Sequence, residues 1–511
     1  MKLCCIAALC VFAASLSGCG KGGKLAVAGK EPITNVVKVE NAREALKTWT
    51  VNRARADLLI LIDPSDEMAA FPEKIVGEVQ NAAGHLKRGN EKVIDLIAPW
   101  IDTGGSVNLG YMAGMYRKVV WVVPSALPVA DRPVNDFVSY LATRRGIPRE
   151  ALREFARNGR NITGSVAGIP VTITRFADLA LDKKTSAIIH INLAYFPAMK
   201  AEDPKYRTGT NSLVSFLKEL REKNVRTPVV TVDLASRTGL IGVDIRFFGD
   251  VIKEALFDPR TLSGPLPDKW ERMAQAEDSL VAKRYAGAAV IYEELAKGYT
   301  QDAGSQFSLA IAHGLAGSGV GARTAVVNAY RLDPEYLRGF FQLANVLAAN
   351  GQVAAGLEIL NSPDLASIYP AEQIDYQKGL FYYTAHRPKD ALPYLGSAAQ
   401  RMPKDFNLFV MIYKAQKELG DVAGRIYAVE AILDLDEERL KREAPWILAD
   451  AGQLAEKLNY LGSANKMYEK YVQAVPDDSL AAVFKKKMAE WKAKNIIKTE
   501  PPQWTITPGG S

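Results

Sequence analysis

The sequence predicts an α/β domain with a mostly parallel, three-layer sheet, followed by an all-α solenoid of repeated helix pairs. Three observations predict this. All four cysteines fall at or before position 19, which separates a leader from the folded body. Short β-branched runs alternate with amphipathic stretches from about Asn35 to Phe257. From about Asp268 to Lys494 such runs vanish, alanine, leucine and tyrosine dominate, and similar residues recur with a period near 34. At 511 residues the chain is too long for one ordinary domain.

The leader begins with Lys2 and an apolar run from Leu3 to Leu16. That run is too short to cross a hydrocarbon core of roughly 30 Å as a helix, and fits a signal peptide. It ends in Leu16-Ser17-Gly18-Cys19, which resembles the lipobox of bacterial lipoproteins. The resemblance implies removal of residues 1–18, diacylglyceryl attachment to the Cys19 sulfur and acylation of the new amino group. Several acyl chains anchor stably, at about 0.8 kcal/mol per buried methylene. Gly20 stands where an aspartate favours inner-membrane retention in that family, so the resemblance implies the outer membrane, facing the periplasm. Residues 19–34 read as a flexible glycine- and lysine-rich tether.

With no cysteine after Cys19, the body has neither a disulfide framework nor a cysteine metal cluster nor a thiol nucleophile. The formal charge of +7 is modest, and both signs are interspersed, so no nucleic-acid footprint is read. No later apolar stretch reaches eighteen residues.

The α/β domain is expected over 35–260. Leu58–Ile62, Val119–Val123, Ala187–Asn192 and Val229–Val232 read as buried strands, and Ile75–Leu86, Val134–Thr143, Leu213–Lys223 and Phe248–Leu256 as helices. Arg160–Ile173 reads as a hairpin around Ala167-Gly168. Asp258, Pro259, Gly264, Pro265 and Pro267 mark the expected domain boundary.

Beyond it, over 268–495, two stretches repeat a pattern: Gly379-x11-Ala391-x3-Leu395-x2-Ala398-x4-Pro403 and Gly452-x11-Ala464-x3-Tyr468-x2-Tyr471-x4-Pro476. Ala310, Ala322, Val326, Ala329 and Pro334 keep the same spacing; copies around Leu343-Ala344, Ala288 and Phe409 are weaker. This resembles the tetratricopeptide repeat, in about six copies plus a capping helix at Leu480–Lys494. Small residues at the eighth and twentieth positions let paired helices cross closely, and large residues at the twenty-fourth fill the space between pairs. Gly356 and Arg425 stand where the twentieth residue should be alanine. Tyr376, Tyr382, Tyr383 and His386 are candidates either for a partner-binding surface or for packing between helices. Lys485–Lys487 with Lys492, Lys494 and Lys498 read as a solvated face, and residues 496–511 as a disordered tail.

Candidate chemistry gathers in the α/β domain. The strand Leu58–Ile62 runs into Asp63, Ser65, Asp66 and Glu67. Strand ends of α/β sheets are where ligands and hard cations bind, while Ser65 and Asp66 equally suit a helix cap. The segment resembles the arginase-like (ureohydrolase) superfamily, whose Asp-x-His-x-Asp would read Asp63-x-Ser65-x-Glu67. A later Asp-x-Asp of that superfamily would fall on Asn192 and Ala194, at the end of the strand containing His190. The resemblance implies degenerate metal ligands and a non-catalytic descendant. The von Willebrand A motif, Asp-x-Ser-x-Ser, is similar too, with Glu67 in place of a serine. His190 reads equally as a core histidine. The Gly104-Gly105-Ser106 stretch reads as a turn. Four scattered histidines give no catalytic triad.

The expectation is a lipid-anchored envelope protein that holds protein partners through its repeats, with membrane contact through acylated Cys19, no cofactor, no nucleic acid and no turnover. The rival expectation is a metal-dependent hydrolase or adhesion domain targeted by the repeats.

Overall fold

The computed structural model describes residues 26–27, 30–64, 68–124, 133–144, 147–182, 184–196, 209–234 and 243–494. Cys19, the leader, most of the tether, Ser65 to Glu67 and the tail from 495 lie outside the described residues. The chain forms two compact units, Met1–Ala312 with Ala325–Gly339, and His313–Thr324 with Phe340–Ser511.

The first unit holds an eight-stranded mixed sheet. Its strands are β1 (Val36–Val39), β2 (Leu58–Ile62), β3 (Val119–Val123), β4 (Leu152–Asn158), β5 (Asn161–Val166), β6 (Ile169–Arg175), β7 (Ala187–Asn192) and β8 (Val230–Asp233). They lie in the order β1-β8-β7-β2-β3-β6-β5-β4. From β1 to β6 across that order every pairing is parallel, and β6-β5-β4 is antiparallel. The expected hairpin is there, turning at Ala167 and Gly168, both with positive φ.

The central parallel strands β2 and β3 are apolar throughout because both faces are covered. Leu59, Leu61, Trp121, Val123 and Ile173 share a core with four helices: α1 (Ala42–Val51), α2 (Val76–Lys87), α3 (Ser106–Met112) and α4 (Val134–Arg144). The alternate residues Ile60, Ile62, Val122, Ile189 and Val232 are just as buried, and face the other way. On that side α6 (Phe248–Phe257) packs on β1 and β8, and α5 (Gly209–Glu222) packs on α6. Gly104-Gly105 is not the expected turn: Ile101–Gly105 is π-helical and runs straight into α3. A side chain at Gly105 would meet the Phe71 ring and the Trp100 carbonyl at 2.6 and 2.7 Å.

At the outer edge, pairing of β4 with β5 breaks between Arg153 and Ala156, where Glu154 takes φ 58°. The Phe155 ring covers Gly164 of β5 there. Within the described tether, Ala26–Val27 pairs with Arg226–Thr227, and Ile33 is buried and donates its N–H to the Leu256 carbonyl.

From residue 268 on, the described chain is helical. Six helices alternate with six more: α7 (Asp268–Val281) and α8 (Tyr285–Gly298), α9 (Ala303–Leu315) and α10 (Gly319–Leu332), α11 (Gly339–Ala349) and α12 (Val353–Leu360), α13 (Ala371–Thr384) and α14 (Pro388–Arg401), α15 (Phe406–Leu419) and α16 (Val422–Glu443), α17 (Pro445–Lys457) and α18 (Leu461–Ala474). A last helix, α19 (Ser479–Ala493), follows. One residue in the turn of every pair is left-handed: Lys283, Gly317, Gly351, His386, Gly420 and Asn459, at steps of 34, 34, 35, 34 and 39. Such a residue closes the end of a helix by redirecting the chain after the last turn. The longer final step comes from α16, whose backbone leaves the helix at Asp436. The Asp436 carboxylate then accepts the Arg439 N–H (2.8 Å) and starts a second short helical stretch.

The expected boundary at Asp258–Pro267 lies inside the first unit. The Glu277 carboxylate of α7 accepts the N–H and hydroxyl of Thr210 at the start of α5 (2.8 and 3.0 Å), and the Trp270 indole donates to Glu254 of α6 (3.2 Å).

Candidate functional site

The connection from β2 leads to its neighbour β3, whereas the one from β7 leads to β8 on the opposite side. The winding therefore reverses between β2 and β7, and the crevice at their carboxyl ends is the ordinary ligand position of an open α/β sheet. Two of the residues singled out from sequence meet here. Asp63, directly after β2, is fully buried; Asn192, the last residue of β7, is almost so. The Asn192 amide donates to the Asp63 carboxylate (2.8 Å), and its oxygen accepts the Ala194 N–H (2.9 Å). The Trp121 indole donates to the Asp63 carbonyl (2.8 Å). Asp233, the last residue of β8, lies in register beside Asn192 and is also buried.

Three neighbouring parallel strands thus end in Asp63, Asn192 and Asp233. The amide between the two acids donates to one of them, which a carboxylate at 192 could not do. Ala194 is buried and offers no side-chain oxygen. Among the described residues no group of three or more His, Cys, Asp or Glu side chains is placed to hold a metal ion.

His190 lies one pleat inside this edge. Its Nδ1 is 3.0 Å from the Thr231 hydroxyl, which also receives the Trp49 indole N–H (3.1 Å), and the Trp49 ring meets the imidazole edge-on. Burial pushes its pKa down to about 4. At neutral pH His190 is an uncharged core group, in register with Leu61 and one pleat short of the strand end that carries Asp63.

Sequence reasoning missed Asp233 and a second polar node. Arg246 donates to both oxygens of Glu40 (2.9 and 2.6 Å) and through Nε to Asp333 (2.9 Å). Burial alone would lower the Arg246 pKa, but the two carboxylates outweigh it and hold it above its ordinary value. Asp233 carried a signal, since its strand ends in an acid as β2 does. The node carried none, because its three members are far apart in the chain.

In the helical part, the repeat positions read from sequence are buried: Ala391, Leu395, Ala398, Ala464, Tyr468, Ala310, Ala322, Val326 and Ala329. A side chain at Gly452 would meet the Tyr468 ring at 2.6 Å. The departures have packing reasons. Gly356 lies under the Phe381 ring. In the repeat of α15 and α16, Tyr413 replaces the small eighth residue and Arg425 the small twentieth, and both donate to one carboxylate, Asp450 of α17. Lys417 adds an ion pair to it (2.9 Å).

Tyr376, Tyr382 and Tyr383 are half-buried against this core, and burial with a hydrogen bond to Glu418 pushes the Tyr383 pKa up to about 12. His386 is a left-handed turn residue. Rings also lie beside cations: half-buried Tyr382 stacks on half-buried Tyr394, with Arg387 over the first ring and Lys378 over the second, and exposed Trp446 lies beneath Lys414 and Lys417. Of the C-terminal lysines, Lys487 pairs with Glu456 (2.7 Å) and Lys485 donates to the Pro476 carbonyl (3.1 Å).

No family model matches the chain. No curated protein sequence matches it either. Several solved structures of tetratricopeptide-repeat (TPR) proteins are similar to parts of it. YrrB, a TPR protein with an unusual peptide-binding site, is 18% identical over 38% of this chain and 97% of its own, with a TM-score of 0.27. PilW, a type IV pilus biogenesis factor, is 13% identical over 42% of this chain and 97% of its own, with a TM-score of 0.29. A thermophilic TPR protein from Thermus thermophilus is 17% identical over 44% of this chain and 99% of its own, with a TM-score of 0.18. The repeat reading of this chain rests on the spacing, the recurring turn conformation and the burial described above.

Proposed function

We propose that this chain is a lipoprotein held at the bacterial outer membrane, facing the periplasm, by an acylated Cys19, and that its tetratricopeptide repeats hold partner proteins there. The observation that carries the scaffold reading is the contrast between the repeat positions, which are buried, and the ring–cation groups, of which Trp446 is exposed and Tyr382–Tyr394 only half-buried. Aromatic rings and arginine are the side chains that dominate protein interfaces.

The α/β domain is proposed to be non-catalytic. Its support is the Asn192 amide, which satisfies Asp63 by a hydrogen bond where the arginase-like pattern has a second acid. A two-metal hydrolase needs several such carboxylates and imidazoles to lower the pKa of a bridging water.

The test uses the full chain in its own membrane. Labelled palmitate is expected to enter the wild-type chain and not Cys19→Ala, and cross-linking is expected to capture a defined partner that Trp446→Ala or Tyr382→Ala loses. Unchanged capture by both variants removes the scaffold surface proposed here. Stoichiometric metal in the purified protein, lost in Asp63→Ala, replaces the non-catalytic reading by the hydrolase one.

A further inference from the structure

A cavity of about 660 Å³ lies within the first unit, between β1, α6, the start of α7, the turn before α9 and the end of α10. Its volume is that of an ordinary small-ligand site, yet its walls are charged. Three cations face it, each already paired: Lys38 with Asp250 (2.6 Å), Lys269 with Asp302 (3.0 Å) and Arg246 with Asp333 (2.9 Å).

The pairs leave hydrogen-bonding capacity of both kinds. Lys38 and Lys269 each spend one ammonium hydrogen on a carboxylate, and an ammonium has three. Asp302 Oδ2 takes both Lys269 and the Ser305 hydroxyl, so Oδ1 has no partner among the described residues. Glu254, exposed on α6, receives the Trp270 indole on Oε2, and its Oε1 has no partner among the described residues. The Lys269 ammonium also lies 5.4 Å from the centre of the Tyr299 ring. Because the ion pairs hold these side chains in place, a ligand loses little rotamer freedom in engaging them.

The sign of the wall restricts the ligand. Asp250, Glu254, Asp302 and Asp333 repel a polyanion, and Lys38, Arg246 and Lys269 repel a polycation. We propose that this cavity binds a short peptide segment carrying an ammonium and a carboxylate side chain close together. The ammonium seats at Glu254 and Asp302, and the carboxylate at Lys38 and Lys269.

Calorimetric titration of the full chain tests this. The probe is the end-blocked tetrapeptide lysyl-alanyl-alanyl-aspartate, beside its all-lysine and all-aspartate analogues. Glu254→Gln and Lys38→Met change exposed side chains, and unaltered circular dichroism confirms their fold. The mixed-charge peptide is expected to bind at least about tenfold more tightly than either analogue, and roughly fivefold more weakly to each variant. Absence of binding at millimolar peptide overturns the proposal. So does equal binding of the three peptides, or affinity unchanged in both variants.

Discussion

Gly379 of α13 faces Leu395 of α14 so closely that a methyl group on the glycine would collide with the leucine side chain and lie 3.3 Å from its backbone nitrogen. The two residues are sixteen apart, as are Gly452 and Tyr468, so the eighth and twenty-fourth positions of the repeat are one contact. Alanine at 379 gains about 1 kcal/mol in helix propensity but overpacks a buried crossing by about 1–3 kcal/mol. Gly379→Ala is expected to be destabilising, Leu395→Ala to cost about 2–5 kcal/mol, and the double variant less than their sum. Urea unfolding of the four proteins measures the coupling.

The left-handed residues of the turns predict the opposite sign. A non-glycine residue in that region costs roughly 1 kcal/mol, so His386→Gly and Lys283→Gly are expected to raise the unfolding midpoint, and Gly351→Ala to lower it. Thermal melts decide. A fall for both glycine variants shows that the side chains contribute more than the backbone gains.

Asp450 joins Tyr413, Arg425 and Lys417. Burial pushes its pKa up, but the hydrogen bonds from Tyr413 and Lys417 and the Arg425 charge overcome this and hold it below the usual carboxylate range. A depressed folded-state pKa contributes stability above the unfolded value, near 4, and loses it as pH falls further. Asp450→Ala leaves Arg425 largely buried without its acid and is expected to cost roughly 3 kcal/mol at pH 7. The penalty should shrink below pH 4 in denaturant titrations at several pH values.

His190 titrates in a different window. Its folded pKa of about 4 lies below the ordinary 6.5, so the unfolded chain binds the proton first. Stability is full above pH 6.5 and falls as pH drops from 6.5 towards 4, by up to roughly 3 kcal/mol for this group. His190→Gln is expected to flatten that slope. An unchanged slope assigns the acid sensitivity to other groups.

Asn192→Asp places a second carboxylate against Asp63 in a buried site. Like charges at this distance cannot both stay ionised without a cation, so the variant should be destabilised at pH 7 and recover as the pH is lowered. Manganese added at pH 7 tests whether the restored acid recreates a metal position; thermal stabilisation of the variant and not of the wild type is the positive result.

Residues that act within one turn or one strand were legible in the sequence. β2, β3 and β7 have the limits expected from their apolar runs, and the repeat spacing located every helix pair. β4 was not legible, because an exposed edge strand reading Leu-Arg-Glu-Phe-Ala-Arg-Asn lacks apolar alternation. At the strand ends, Asp63 and Asn192 could be suspected from their positions. Their hydrogen bond, and the Glu40–Arg246–Asp333 node, depend on which strands and helices become neighbours, and pattern within a strand does not encode that.

The broken pairing at Glu154 bears on how this molecule keeps company with copies of itself. A flat outermost strand is a template onto which another chain can add its own, layer upon layer. Here the ladder is interrupted, and the strand carries Arg153, Glu154 and Arg157 on its exposed surface. Replacing Glu154 by an uncharged residue that flattens the strand is expected to make this margin stickier towards other copies, an increase that light scattering would register.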